Sequence, residues 1–138
     1  MNYGRVILGG LVAGLILNIG EFLFNGLIMA SAMREWAVAH NLPPEPTPTF
    51  YVAAIGLTFV LGIVMVWLYA LIRPRLGPGP KTAVIAALIM WFGICLYCGI
   101  IYGLLLEQPT NAVLMGIVWC LGEYVVAAIA GAWVYKEV

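Results

Sequence analysis

The sequence predicts an all-α integral membrane protein: a polytopic bundle of four transmembrane helices with both termini in the cytoplasm. Three observations carry that prediction. The 138 residues are 64% hydrophobic and only 9% charged, whereas a soluble domain holds about 25% charged residues. Four apolar stretches are each long enough to cross a hydrocarbon core about 30 Å thick. Polar or proline-rich segments punctuate them, and basic residues gather at one end of the spans.

The first span is expected over about 6–33. Arg5 and the Ala-Ser-Ala at 30–32 imitate parts of a signal peptide, but such a peptide has an apolar run of only about 7–15 residues. The run from Val6 to Ala32 is far longer and has Glu21 near its centre, so it reads as a retained helix, tilted or running past the membrane surface. Residues 34–49 form the one substantial loop. Trp36 and His40 sit four apart, as on a short interfacial helical turn, and prolines 43, 44, 46 and 48 then force an extended path.

The second span is expected over about 50–72, followed by the breaker-rich turn "RPRLGPGPK" at 73–81. Pro80 suits the first position of the third helix, expected over about 82–106. "EQPTN" at 107–111 closes the last connection, with Thr110 or Asn111 as the expected cap of a fourth span over about 112–135. All four belong to a single membrane domain, 1–138. Arg5, Arg73, Arg75, Lys81 and Lys136 fall at one end of the spans and Arg34 alone at the other. The positive-inside rule then puts both termini and the 73–81 turn in the cytoplasm.

Net charge is zero and no basic run occurs, so a nucleic-acid partner is not expected. Cys95, Cys98 and Cys120 are odd in number and all lie in apolar segments, which argues against a secreted disulfide framework. "CLYC" at 95–98 lies inside a hydrophobic helix rather than at the head of one, so inert packing is the favoured reading of these thiols. His40, the single histidine, falls in the loop and reads as a surface residue. The pairs Gly10–Gly14 and Gly99–Gly103 permit close helix crossing, within the chain or in an oligomer. Trp36, Tyr51, Trp67, Tyr69, Trp133 and Tyr135 near span ends fit aromatic belts. No phosphate loop, nucleophile elbow, cofactor motif or metal-ligating set is present, and no cofactor or metal is expected.

The chemistry sits in two acids. "NIGEFLF" at 18–24 and "CLGEYVV" at 120–126 superpose on a shift of 102 positions. Gly14 then meets Gly116, Gly20 meets Gly122, and Glu21 meets Glu123. Each glutamate also lies thirteen residues before a basic–acidic pair, 34–35 and 136–137. Both fall near the middle of their expected spans, so both carboxyls are expected near the bilayer midplane. Gly14, Asn18, Glu21 and Asn25 share one face of the first helix, and Gly116, Cys120, Glu123 and Ala127 share one face of the fourth. Small and polar stripes of this kind face protein or a cavity rather than lipid.

All six basic residues lie near span ends or in the connections, so no cation within the chain stands at mid-depth beside either acid. An ionised carboxylate at the bilayer centre costs about 2.5–3.5 kcal/mol on insertion scales. At least one glutamate is therefore expected to carry a proton at rest, and two that meet would share one. Such a group can exchange a proton for a cation or bind a small cationic solute. Asn18, Asn25 and Cys120 are expected in the near shell of Glu21 and Glu123.

The plan is similar to that of the small multidrug-resistance transporters, short four-helix proteins with a functional glutamate in helix 1. The similarity is one of layout. The residues around Glu21 differ from that family's motif, the 34–49 loop is longer, and Glu123 is extra, so no residue role is carried over. The chain also resembles short four-helix membrane proteins of bacteria, and the bacterial inner (plasma) membrane is the expected location. The expected function is a small proton- or cation-linked transporter or channel component, working as an oligomer in the lipid bilayer. The alternative is a non-catalytic accessory subunit buried against a larger membrane complex. An enzyme using the two carboxyls as acid and base is the weaker reading, since no nucleophile stands beside them.

Overall fold

The computed structural model describes residues 1–136, and every regular element among them is helical. Helix α1 (Tyr3–Glu21) runs directly into a π-helical stretch, Phe22–Ile28. The chain bends at Met29 and continues as α2 (Ala30–Ala39). Helix α3 is Pro48–Leu76. Helix α4 (Pro80–Trp91) passes into a second π-helical stretch, Phe92–Tyr97, and resumes as α5 (Cys98–Leu105). Helix α6 is Thr110–Val134.

Four continuous helical rods are long and apolar enough to cross a membrane: Tyr3–Ile28, Pro48–Leu76, Pro80–Leu105 and Thr110–Val134. They form a bundle in which the first span packs on the second and fourth, and the third packs on the second and fourth. The Asn2 backbone N–H donates to the Tyr135 hydroxyl at 3.3 Å, so the chain's beginning and the end of α6 meet at one end of the bundle. The Arg73 guanidinium lies 5.6 Å from the Tyr135 ring centre at that same end. This is the terminal end; the connections around 40–47 and 106–109 make the loop end.

The first span ends earlier than its hydropathy suggests. Met29 has φ −104° and ψ 5°, which breaks the rod and turns the apolar 30–33 into the start of α2. Glu21 is thereby only seven residues from the end of its span, while Glu123 stays central in the fourth. The two acids nevertheless stay level with each other, since the Glu123 carboxyl packs against Gly20, the residue before Glu21.

The other boundaries follow local chemistry. Thr47 caps α3 by accepting from the Phe50 N–H at 3.3 Å, and Pro48 occupies the first turn, where no N–H partner is needed. Helix α3 runs through Pro74 to Leu76, longer than expected, because a proline in the last turn disturbs little beyond it. The turn closes through Gly77 and Gly79, with φ of 84° and 127°, conformations an L side chain resists. Thr82 Oγ1 donates to the Gly77 carbonyl at 2.7 Å, and the Gly79 N–H donates to the Tyr69 hydroxyl at 3.2 Å. At α6 the N-cap is Pro109, with no capping side-chain bond; Thr110 is already helical, so neither Thr110 nor Asn111 caps it. Of the predicted 136–137 pair, Glu137 lies outside the described residues.

Packing is uneven along the bundle. The core toward the terminal end is built from small residues: Ala13, Ala70, Ala83, Ala86, Ala87, Ala127 and Ala128, with Leu17, Met65 and Val66 filling between them. Without a water-driven hydrophobic force, close backbone approach of this kind is what holds helices together in lipid. A Cβ on Gly14 would lie 2.8 Å from the Phe59 Cα, and one on Gly131 would lie 2.9 Å from the Gly9 carbonyl oxygen. A Cβ on Gly103 would lie 2.8 Å from Val113 Cγ2. Both G-x-x-x-G pairs thus serve crossings within the chain. Toward the loop end the packing loosens: no residue of 22–28, 48–61 or 110–116 is buried.

Candidate functional site

The loosened end contains a cavity of about 250 Å³ between the first, third and fourth spans. Glu21 and Asn25 line it from the first span, Cys95 and Gly99 from the third, and Gly116 and Cys120 from the fourth. Met29 and Met33 continue the wall along the first span into α2, and Gln108 lines it from the opposite connection. The cavity therefore reaches from the level of Glu21 to the loop end. Among the described residues, none of the second span lines it.

Both π-helical stretches border this cavity. Phe22–Ile28 begins immediately after Glu21 and carries Phe24 and Asn25; Phe92–Tyr97 carries Cys95. An α-helix has about 3.6 residues per turn, so a step of four overshoots a full turn. A π turn, with its i→i+5 bonds, holds more than four, so the same step undershoots. The π stretch and the bend at Met29 leave Glu21, Asn25, Met29 and Met33 along one wall. Trp91 and Trp119 brace the surroundings: their indole N–H groups donate to the Ile117 carbonyl at 2.9 Å and the Gly20 carbonyl at 3.2 Å.

Asn25 Nδ2 donates to Glu21 Oε2 at 2.7 Å and lies 3.3 Å from the Glu21 backbone carbonyl. The amide thus fixes the acid while leaving its other oxygen available to the cavity. Cys95 and Cys120 face the same cavity from the third and fourth spans. Cys98 is elsewhere: its Sγ donates to the Gly93 carbonyl at 3.4 Å. The C-x-x-C residues are therefore not partners.

Glu123 stands behind a wall. Its carboxyl packs on the first helix where Gly20 leaves room: a Cβ there would lie 2.6 Å from Glu123 Cδ. The residue is 8% exposed, and neither carboxyl oxygen has a hydrogen-bond partner among the described residues. The adjacent Trp119 indole N–H donates to the Gly20 carbonyl. Glu123 lines a separate apolar groove of about 830 Å³ between the first and fourth spans. Phe24 and Trp119 belong to both linings, and their rings stack with centroids 5.6 Å apart.

Of the residues predicted from sequence, the structure thus brings Glu21, Asn25 and Cys120 to one cavity and sets Glu123 on the far side of the Phe24–Trp119 stack. Asn18 turns away; its Nδ2 donates to the Gly14 carbonyl at 2.9 Å and reaches the Ile55 carbonyl of the second span at 3.5 Å. The stripe Gly14–Asn18–Glu21–Asn25 straddles two surroundings, its first half on the second span and its second half on the cavity. Cys95, Met29, Met33 and Trp119 are cavity residues that sequence reasoning missed. The four-residue step that runs Asn25, Met29, Met33 was the available signal for the methionines. No family model, curated protein or solved structure matches the chain.

Proposed function

We propose that this protein is a small proton- or cation-linked transporter or channel component, with Glu21 as its titrating group. One observation carries the reading: a carboxyl within a membrane-spanning helix faces a cavity that extends toward one end of the bundle only. A group of that kind can take up a proton or a cation from one side, the first half of an alternating cycle. Asn25 would hold the acid in place and offer its amide oxygen to a cation. Glu123, behind the aromatic wall, would be the acid reached when that wall rearranges.

The distribution of basic residues supports an orientation with the terminal end in the cytoplasm and the cavity opening outward. The inner membrane of a bacterium is the location that suits such a chain. The test is flux into proteoliposomes holding only this chain. Proton- or cation-dependent uptake, abolished by Glu21→Gln and lowered by Glu123→Gln, is the expected result. Absence of flux from the chain alone, with activity only inside a larger assembly, would overturn it.

A second reading, an accessory subunit or obligate oligomer, draws on the loop-end part of the second span. Phe50, Val52, Ile55 and Leu57 all stand exposed there, Val52 at 75%, on both sides of the helix, and partner helices could cover them. Detection of a stable hetero-complex in mild detergent, with no flux from either component alone, would favour it.

A further inference from the structure

We propose that the cavity is a binding site for a soft monovalent metal ion, copper(I) or silver(I), held by the Cys95 and Cys120 thiols with Met29 and Met33 as thioether ligands. The chain has nine sulfur-bearing residues, six methionines and three cysteines. Four of them line this one cavity of about 250 Å³. They come from the Met29 bend and α2, the third span and the fourth, so the fold, and not local sequence, gathers them. Cys95 belongs to the alanine-rich core and Cys120 packs against it, so the sulfur side chains stand where that core gives way to open space reaching the loop end.

The donor set selects the ion. Thiolate and thioether sulfur prefer soft d¹⁰ ions, and such ions accept as few as two or three ligands. Zinc asks for four N, S or O donors in a tetrahedron. No group of three His, Cys, Asp or Glu side chains able to hold a metal exists among the described residues. Charge points the same way. One thiolate with one monovalent ion makes a neutral unit, while a dication would leave net charge at a depth where charge is costly. Binding replaces one thiol S–H bond with a metal–sulfur bond, and the proton leaves to water through the loop-end mouth. The second thiol and the thioethers then complete the shell as neutral donors.

This site rests on the same cavity as the proposed transport, but binding is read on detergent-solubilised protein, where no flux exists, so each can fail without the other. The experiment titrates copper(I), under anaerobic reducing conditions, against a chromophoric copper(I) chelator. One equivalent per chain is expected, with sulfur-to-copper charge-transfer absorption. Cys95→Ser with Cys120→Ser should weaken binding by more than about a hundredfold, and Met29→Leu with Met33→Leu by about tenfold. Cys98→Ser should bind as the parent chain does. In the unmutated protein, bound copper(I) or silver(I) should protect Cys95 and Cys120, and not Cys98, from maleimide labelling, a readout that does not depend on any variant folding. No stoichiometric binding, binding indifferent to the cysteine pair, or equally tight zinc(II) binding would each overturn the proposal.

Discussion

Gly20 shows how much rests on a missing side chain. Its Cα surface receives the Glu123 carboxyl, and a methyl group there would lie 2.6 Å from Cδ. Overpacking of this kind typically costs about 1–3 kcal/mol, and Gly20→Ala should lower the stability of the detergent-solubilised protein by that order. Combining it with Glu123→Ala should recover most of the loss, a coupling that an unfolding double-mutant cycle measures. Trp119→Phe tests the wall itself. It keeps a ring against Phe24 and removes only the 3.2 Å bond to the Gly20 carbonyl, so a loss of about 1 kcal/mol is expected from the same unfolding assay. Asn25→Leu deletes the 2.7 Å bond to Glu21. About a tenfold drop in proteoliposome flux should follow, since loss of one such bond is worth roughly 1.4 kcal/mol.

At the scale of elements, the crossings divide the glycines into two kinds. A Cβ on Gly62 would lie 2.7 Å from the Gly14 Cα, whereas one on Gly56, two turns away in the same helix, meets nothing within 4 Å. Gly62→Val should therefore separate the first two spans and unfold the bundle at lower temperature. Gly56→Ala should be neutral or stabilising by up to about 1 kcal/mol, the helix-propensity difference. Thermal unfolding in detergent distinguishes the two. Spans were legible in the sequence because hydropathy and Pro48, Gly77–Pro80 and Pro109 mark their ends. The bend at Met29 was not legible, since methionine carries no breaker signal and its neighbours are apolar. The π-helical stretches were also hidden. Nothing in "FLFNGLI" or "FGICLY" distinguishes an i→i+5 ladder from an i→i+4 one, because the choice is made by tertiary packing.

Over the whole molecule, the bundle has a close-packed terminal end and an open loop end, and the cavity exists because of that difference. Exposure to hydrogen exchange should follow it. Amides of α1 before Glu21 and of α6 after Glu123 should exchange slowest, and those of 22–28 and 92–97 faster than other span amides, as local opening tracks packing density. Equal protection along each span would contradict the two-zone description. The acids at positions 21 and 123 could be found from sequence because charge in hydrocarbon is conspicuous. Their separation by the Phe24–Trp119 stack could not, since it depends on how the first and fourth spans face each other, which only assembly sets.

The hydrogen bond from Asn2 to Tyr135 joins residues at opposite ends of the chain, and this carries a consequence for biosynthesis. Helix α6 packs on both α1 and α4, so it closes the ring of described helices and is made after both of its neighbours. Until it enters the bilayer, Gly9, Gly20 and the alanine ridge of α4 have no partner to cover them. A nascent chain holding only the first three spans is therefore an open trough until α6 joins it.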